Sequence, residues 1–409
     1  MPGDEAVGDF SRKRAYLCGR VCWLQGDWPM PDLSLVDLDP LLTAFAENAA
    51  ARDRAGGNAK RERDLLRQSG LLGLLIPKAL GGGGATWNQI FETVRAIARV
   101  DSSLGHLYGF HHLLVATVRL FGAPAQWETW WKATVAHQWF WGNALNPKDT
   151  RVVLREQGGR LLVSGQKSFC SGAVDADQLV ISAVDDRTAK LVVAIIPPDR
   201  RGLRVLGDWD AFGQRQTDSG GVAFDDVVVE EKEILCSPGP LGTPFAALRS
   251  LIAQLVFVNV FLGLAEAAFA EAHRWNTERV HDSRSLDPFV LRRAGELWLG
   301  ILTTRSLAKE AVLAFDQAWA IGDDLTATQR GQVAVAVAAA KAQSTFSVLG
   351  ATSGFFELMG PRAVARVEGL DRYWRNARVH TLHDPVDLKL RDLGQFALTG
   401  QFPEPSFYA

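Results

Sequence analysis

The apolar pattern of the chain changes character twice, and this limits the folds that the chain can adopt. Residues 36–135 carry apolar side chains at helical spacing, with Trp87 and Phe91 on one face. Residues 136–240 instead contain short runs rich in Val, Ile and Leu, separated by turn-forming pairs, as expected for antiparallel strands. Helical patterns return over residues 241–409. This order predicts an α+β protein whose helices and strands lie in separate domains.

We therefore predict four segments along the chain. They are an irregular N-terminal extension (1–35), an N-terminal helical domain (36–135), a β-barrel-like middle domain (136–240) and a C-terminal four-helix bundle (241–409). The segregation of strands from helices argues against a parallel βαβ sheet, and no Gly-x-Gly-x-x-Gly follows a strand.

The helix signals are clearest in the C-terminal segment. Asp287 is placed to cap a helix that has Pro288 in its first turn, and Gly322 is placed to end it. Thr326 and Gln329 have the spacing of a capping box for the next helix. These residues predict two long consecutive helices.

Composition excludes several classes of function. Lys+Arg is 44 and Asp+Glu is 46, which predicts no binding of nucleic acid or of an anionic membrane surface. The longest apolar run, 255–265, is interrupted by Asn259 and is shorter than the roughly 20 residues that span a bilayer, so we expect a buried helix. Four scattered cysteines form no disulfide framework, and Cys18 and Cys22 are only half of a metal site. We expect a cytoplasmic protein without a metal.

Five segments combine polar, glycine and aromatic residues more densely than packing requires. They are Asp101–His112, Trp139–Asn143, Lys167–Gly172, Trp209–Gly220 and Arg372–Pro385. Each also has a purely structural interpretation: a core histidine, a buried aromatic strand, a tight turn, a solvated loop or a polar helix end. His106 and His111 are five residues apart, which does not suit a metal pair on one helix face. The residues alone predict a polar site lined by His, Ser, Asn and Arg, and they do not name a reaction.

Several of these motifs, taken in order, resemble the acyl-CoA dehydrogenase superfamily over about residues 40 to 405. The segments that carry the resemblance are 73–84, 167–172, 212–220 with Phe224-Asp-Asp-Val-Val-Val, and 374–384. A second set is similar to the flavin-dependent monooxygenase branch typified by dibenzothiophene monooxygenase and its sulfone-utilisation relatives. That set is 52–57, 103–106, 169–172, 215–220 and 382–385.

The resemblance implies a two-component monooxygenase. A separate NAD(P)H-dependent flavin reductase would supply reduced FMN, O2 would add at the flavin C4a position, and the hydroperoxide would transfer one oxygen to a small apolar, possibly sulfur-containing, substrate. Apolar walls would keep water from releasing peroxide. Members of the superfamily usually assemble as tetramers through the C-terminal bundle, so a homotetramer is implied as well.

The resemblance also assigns roles to residues of this chain. The implied catalytic residues are His106, Ser171, His383 and Asn143. The implied cofactor-binding residues are Asn143, Lys167, Phe169, Cys170, Ser171, Trp209, Arg215, Thr217, Ser219, Arg378 and His383. The implied substrate pocket contains Phe110, His111, Trp141 and Trp209.

Three departures from the superfamily pattern bear on function. Where many dehydrogenases carry Tyr-Glu-Gly, this chain has His383-Asp384-Pro385, and no Glu stands at the alternative base position near Arg249. A dehydrogenase with Asp384 as its base is therefore the alternative function, and a non-catalytic flavin-binding scaffold is a third. Residues 283–288 replace the Arg-x-x-Phe-Gly pattern that helps to hold FAD, which favours FMN. Phe110 stands where the dibenzothiophene enzymes have Tyr, and the lost hydroxyl argues against either their particular substrate or their proton path.

Overall fold

The computed structural model describes residues 37–279 and 287–408, so the predicted irregular extension 1–35 lies outside the described residues. The N-terminal part is helical, as expected. Its helices are α1 (Asp39–Ala46), α2 (Ala49–Ala55), α3 (Lys60–Gln68), α4 (Trp87–Val100), α5 (Ser102–Phe121) and α6 (Pro124–His137).

Helix α5 is the central element of the fold. Of its residues only Arg119 is not buried. Two glycines let its neighbours approach closely: a Cβ on Gly105 would lie 2.9 Å from the Ala98 side chain, and one on Gly109 would lie 2.5 Å from Val256. Helix α5 is therefore fixed in place between α4 and the C-terminal helices, and it carries His106 into the middle of the protein.

The middle part of the chain forms one seven-stranded sheet. Its strands are β1 (Trp141–Ala144), β2 (Val153–Gln157), β3 (Arg160–Lys167), β4 (Gln178–Asp185), β5 (Leu191–Ile196), β6 (Leu203–Val205) and β7 (Val222–Val229). The strands pair in the order β1-β4-β2-β3-β7-β6, and β5 also pairs with β4. The pairings β1–β4 and β2–β4 are parallel and the other four are antiparallel. The sheet is thus mixed rather than wholly antiparallel, because apolar runs indicate where strands lie but not their direction.

The C-terminal part is a helical bundle, as predicted. It contains α7 (Leu248–Arg279), α8 (Pro288–Ile321), α9 (Ala327–Met359), α10 (Asp371–Thr381) and α11 (Val386–Thr399). The side chain of Asp287 caps α8 through the backbone N–H groups of the next turn, and Gly322 follows its last residue. Thr326 and Gln329 form the predicted capping box of α9. Local sequence therefore specifies the ends of these long helices.

The length argument against a membrane span is wrong for α7, since the apolar run 255–265 lies inside a helix of 32 residues. Helices α7 and α9 are both long and apolar enough to cross a bilayer by length and composition alone. However, 94% of the most apolar window of α7 is buried inside the protein. Such burial is what the core helix of a large domain shows, so length and composition here are weak evidence for a membrane span.

Candidate active site

A chain of hydrogen bonds joins α5 to the loops that follow β3 and β6. The imidazole Nε2 of His106 lies 3.0 Å from the Ser171 hydroxyl, which lies 2.8 Å from the Ser219 hydroxyl. Ser219 donates to Thr217 at 2.8 Å, and Thr217 donates to the backbone oxygen of Gln214 at 2.9 Å. Each hydroxyl has one proton to give, so Ser171 donates to Ser219 and His106 donates to Ser171 from Nε2.

This direction leaves Nδ1 of His106 without a proton. Nδ1 is buried and has no hydrogen-bond partner among the described residues. Burial, and to a smaller degree the nearby His383, lower the pKa of His106 to about 3. At neutral pH the ring is therefore neutral and offers one unused acceptor. A buried acceptor without a partner is unfavourable unless a bound molecule donates a hydrogen bond to it.

Aromatic rings enclose His106. The ring centre of Phe110 lies 4.1 Å from that of His106, and Phe257 lies 5.7 Å from Phe110. Phe257 also lies 4.6 Å from His383, while His380 lies 4.5 Å from His106. Sequence reasoning missed Phe257 because it lies in a helix that is apolar on nearly every side. Phe110 and Phe257 thus form an apolar wall that keeps water away from His106 and His383.

His383 and Asp384 form a hydrogen-bonded pair, and two buried lysines lie beside the carboxylate. Nδ1 of His383 lies 3.3 Å from Oδ1 of Asp384, and the ammonium groups of Lys341 and Lys389 lie 3.7 Å and 3.9 Å from the same carboxylate. Burial raises the pKa of Asp384, but the His383 hydrogen bond and the two lysine charges outweigh it and lower the pKa to about 2. The carboxylate of Asp384 is thus ionised and serves as the counter-ion of Lys341 and Lys389.

The loop 209–220 is fixed against α10 by Gln214, a residue that the sequence analysis did not assign. Its side chain is fully buried, and its backbone N–H donates to the Asn376 side chain at 2.6 Å. The side-chain amide of Gln214 also contacts Ser102 and Ser103 at the start of α5. Gly213 allows this approach, since a Cβ there would lie 2.2 Å from the backbone oxygen of Arg375. Three separate elements therefore meet at Gln214.

The mouth of the site carries exposed aromatic rings. Phe169 is 65% exposed, adopts a positive φ of 61°, and lies 6.1 Å from the ring of Trp209. Trp209 is oriented by its indole N–H, which donates to the backbone oxygen of Gln214 at 2.9 Å. Asn143 in β1 supports the same region, because its backbone N–H donates to the backbone oxygen of Ser171 at 2.9 Å. Exposed aromatic surface beside hydroxyl and amide groups suits a flat, polar ring such as a flavin.

Arg378 on α10 is a second group open to a ligand. It is half-buried, and its guanidinium makes no hydrogen bond or ion pair within residues 37–279 and 287–408. By contrast, its neighbour Arg375 is bound to Asp53 and Asp371. Of these two arginines, only Arg378 is available to a phosphate.

Several residues implied by the resemblance are held in other contacts. Arg215 donates to the backbone oxygen of Asp53 at 2.8 Å. Lys167 donates to the backbone oxygens of Asn146 and Asp149, and burial lowers its pKa to about 8. Both side chains therefore hold loops of the site in place through these contacts.

Three further residues implied by the resemblance are buried. His111 is fully buried, donates from Nε2 to the Leu72 oxygen at 2.8 Å and accepts from the Trp141 N–H at Nδ1. The indole of Trp141 donates to Thr134 at 2.9 Å. Burial raises the pKa of Cys170 to about 12, so its thiol is neutral. The side chains of His111 and Trp141 are therefore held by contacts with the surrounding scaffold.

The chain matches models of the acyl-CoA dehydrogenase N-terminal domain over residues 42–138, middle domain over 142–227 and C-terminal domain over 255–387. It is 49% identical to a probable FMNH2-dependent monooxygenase, SfnC, of Pseudomonas putida, over 93% of this chain and 98% of that protein.

Two groups of solved structures are also similar. Methanesulfinate monooxygenase MsuC of Pseudomonas fluorescens has 48% identity and a TM-score of 0.90, covering 92% of this chain and 99% of MsuC. Dibenzothiophene monooxygenase TdsC of Paenibacillus sp. A11-2, solved with FMN bound, has 40% identity and a TM-score of 0.86 with the same coverage. These relatives confirm the fold and FMN as the cofactor expected from the sequence. The chain therefore belongs to the acyl-CoA dehydrogenase superfamily, in its flavin-dependent monooxygenase branch.

Proposed function

We propose that this protein is a monooxygenase that uses reduced FMN and O2 to add one oxygen atom to the sulfur of a small substrate. The observation that carries the proposal is the buried, neutral His106. Its Nε2 is committed to Ser171, and its Nδ1 is an unused acceptor inside an aromatic wall. The names of the similar proteins, which act with FMNH2 or on sulfur compounds, support the same reaction class.

The residues present fit FMN. Phe169 and Trp209 offer aromatic surface at the mouth of the site, Ser171 offers a hydroxyl, and Arg378 offers an unpaired guanidinium for the phosphate. When bound, the reduced flavin would supply activated oxygen as the C4a-hydroperoxide that the family resemblance implies.

The two histidines have different chemical roles in this proposal. Nδ1 of His106 accepts a hydrogen bond from the bound oxygen species, because burial keeps the ring neutral and leaves Nδ1 as an acceptor. His383 is partly exposed and is oriented by Asp384 through Nδ1. It is therefore the group that can exchange a proton between the site and solvent.

Water exclusion is the task of the aromatic wall. Phe110 and Phe257 are buried beside His106 and His383 and present no polar atom to the site. A dry site of this kind slows the loss of activated oxygen as hydrogen peroxide. Asn143 positions the 169–172 turn against β1.

The dehydrogenase alternative receives less support from the geometry. Abstraction of an α-proton from an acyl thioester needs a basic carboxylate within reach. Asp384 is 1% exposed, neutralised by Lys341 and Lys389, and has its pKa lowered to about 2. A carboxylate in that state is a weak base.

A separate NAD(P)H-dependent flavin reductase, a homotetrameric assembly and a cytoplasmic location belong to the same proposal. Exposed apolar side chains on α8 and α9, including Phe289, Leu299 and Phe346, support assembly through the C-terminal bundle. Light scattering after size-exclusion chromatography tests the assembly, and a monomer at micromolar concentration would contradict it.

The reaction is tested by isotope transfer. Reduced FMN is supplied by a flavin reductase and NADH, with isotopically labelled O2 and a panel of sulfinates, sulfones and sulfides. We expect one labelled oxygen in one product. Absence of label from every product, together with dye reduction by an acyl-CoA, would replace this proposal with the dehydrogenase alternative.

A further inference from the structure

Arg63 is a buried cation that the proposed reaction does not use. It lies on α3, is fully buried, and its guanidinium carbon lies 5.1 Å from the centre of the Phe140 ring. Its counter-ion is Asp218, which lies 3.6 Å away and is only 5% exposed. Asp175 lies farther from Arg63, at 3.9 Å, and is bonded to Arg67 at 2.8 Å. Arg63 and Asp218 therefore form a buried ion pair.

Both members of this pair contact the turn that carries Ser171. Arg63 donates from Nη1 to the backbone oxygen of Gly172 at 3.4 Å. The carboxylate of Asp218 accepts from the backbone N–H of Val174 at 2.9 Å. The ion pair thus joins helix α3, the Ser171 turn and the loop that contains Asp218.

The same turn and loop supply the two hydroxyl groups of the candidate site. The backbone N–H of Gly172 donates to the backbone oxygen of Thr217 at 3.0 Å, so the two segments lie side by side. The Ser171 hydroxyl lies 2.8 Å from that of Ser219. Because Asp218 stands between Thr217 and Ser219 in the chain, the ion pair acts on the backbone that presents these hydroxyls.

The backbone of Asp218 also depends on its contacts. Its φ is 51°, a conformation that residues with a Cβ seldom adopt unless the surrounding structure holds them in it. A buried ion pair commonly adds little stability relative to apolar residues of similar size, and it can instead specify one arrangement of its neighbours. These two points favour a positioning role for the pair over a general contribution to stability.

We propose that Arg63 and Asp218 are positioning residues for the flavin, and that their ion pair holds Ser171 and Ser219 in the arrangement that binds FMN. The proposal rests on the placement of FMN beside Ser171 in the proposed function. The pair acts through backbone groups, the oxygen of Gly172 and the N–H of Val174. FMN affinity should therefore depend on the charge of Asp218.

That charge changes in an accessible pH range. Burial raises the pKa of Asp218 to about 6, and the nearby Asp175 acts in the same direction, whereas Arg63 lowers the pKa. Arg63 faces Asp218 from α3, and Asp175 faces it from the short helix Ala173–Asp175. Above about pH 6 the carboxylate is ionised and the pair is intact. Below that pH Asp218 takes up a proton and Arg63 loses its counter-ion.

The test measures FMN binding without turnover. Oxidised FMN is titrated with each protein at several pH values on both sides of pH 6, and quenching of the flavin fluorescence gives Kd. Asp218→Asn keeps an acceptor for the Val174 N–H and removes the charge. At a pH well above 6 we expect this variant to bind FMN about tenfold more weakly than the wild type, or weaker still.

The ratio of the Asp218→Asn Kd to the wild-type Kd is the decisive quantity. It should fall towards one below about pH 6, because the wild-type carboxyl is then neutral as well. Other groups that titrate in this range, among them the FMN phosphate, are common to both proteins and cancel in the ratio.

Two further variants separate positioning from stability. Asp218→Asn/Arg63→Met leaves neither charge of the pair, so it should melt close to the wild type and still bind FMN weakly well above pH 6. Asp177→Asn is the matched control, since Asp177 also bonds an arginine of α3, Arg67, and accepts from a backbone N–H, that of Phe140. It should bind FMN as the wild type does at every pH.

Wild-type FMN affinity in the folded double variant would overturn the inference, and this variant decides the matter if Asp218→Asn does not fold. A Kd ratio for Asp218→Asn that does not change with pH, or an equal loss of affinity in Asp177→Asn, would also overturn it. The expected pattern of FMN binding, without oxygenation of any sulfur compound, would instead contradict the proposed function and leave this inference standing.

Discussion

Nε2 of His106 lies 3.0 Å from the Ser171 hydroxyl, across the junction between α5 and the loop that follows β3. The two residues are 65 positions apart in the chain, so only the folded protein brings them together. Because Ser171 passes its proton to Ser219, the histidine must be the donor in this contact. The polar chain through Ser219 and Thr217 therefore sets the tautomer of His106.

Ser171→Ala tests that relationship. The change leaves the buried Nε2–H of His106 without an acceptor, which costs about 1–3 kcal/mol. If the cost falls on the reacting state, kcat should fall about tenfold to hundredfold. Steady-state oxygen-transfer assays check this. Ser168→Ala is the matched control, since Ser168 lies in the same loop but bonds Arg151 on the surface. Equal kcat values for the two variants would show that the contact has no catalytic importance.

The buried histidines predict how stability depends on pH. Burial is the main cause that lowers the pKa of His106 to about 3 and of His111 to about 4, and it also lowers the pKa of His112 and His380. Below about pH 6.5 the unfolded chain binds protons at these sites and the folded protein does not. The free energy of unfolding should therefore decrease as pH falls from 7 to 5.5, with a limiting slope of about 1.4 kcal/mol per pH unit for each histidine.

Asp218 opposes this trend, because burial raises its pKa to about 6. In this pH range the folded protein binds one proton there that the unfolded chain does not. Urea unfolding at several pH values measures the net slope. The slope should be smaller in His106→Asn by the amount expected for one histidine. Stability that rises on acidification over this range would contradict the prediction.

Asp384→Asn should lower stability strongly. The carboxylate neutralises the buried ammonium groups of Lys341 and Lys389, and breaking a buried pair of this kind costs about 3–5 kcal/mol. The double variant Asp384→Asn/Lys341→Met removes one of the two lysine charges that the single variant leaves without a counter-ion. It should therefore recover part of the lost stability. Urea unfolding of the single and double variants decides between this role and that of a catalytic base, for which the single variant would keep wild-type stability.

The last residues of the described chain lie beside the site, where the ring of Tyr408 is 6.1 Å from that of His383. Arg330 donates to the backbone oxygen of Pro403, and Lys389 donates to the backbone oxygen of Tyr408. The ammonium of Lys148 lies 3.9 Å from the centre of the Tyr408 ring. Removal of residues 403–409 should admit water and raise the fraction of O2 released as hydrogen peroxide several-fold. Peroxide produced per O2 consumed measures this. Tyr408→Phe keeps the ring and should stay coupled; wild-type coupling in the truncated protein would refute the prediction.

The sequence contained much of the fold because its signals are local. The cap at Asp287, the capping box at Thr326 and the apolar run in α7 each specify an element from neighbouring residues. The parallel pairings of β4 were not predictable in the same way, since strand direction depends on connections distant in the chain.

The candidate site was only partly predictable for the same reason. His106, Ser171, Ser219 and His383 stand in segments that are unusually polar, and the fold gathers them. Phe257 and Lys341 have no such local signal, because their roles arise from contacts between distant helices. Gln214 stands in the polar segment 209–220, but its contacts with α5 and α10 arise only in the folded protein. Arg215 and His111 show the converse: their residue types suit a site, yet their hydrogen bonds fasten the scaffold.

Stopped-flow absorbance of the protein mixed with reduced FMN and O2 tests the central claim most directly. The account predicts a long-lived flavin–oxygen adduct that decays faster on addition of a sulfur substrate, and a shorter-lived adduct in His106→Asn, because the unused acceptor and the aromatic wall protect it. Immediate formation of oxidised FMN and hydrogen peroxide in the wild type, with no adduct at any substrate concentration, would contradict the account.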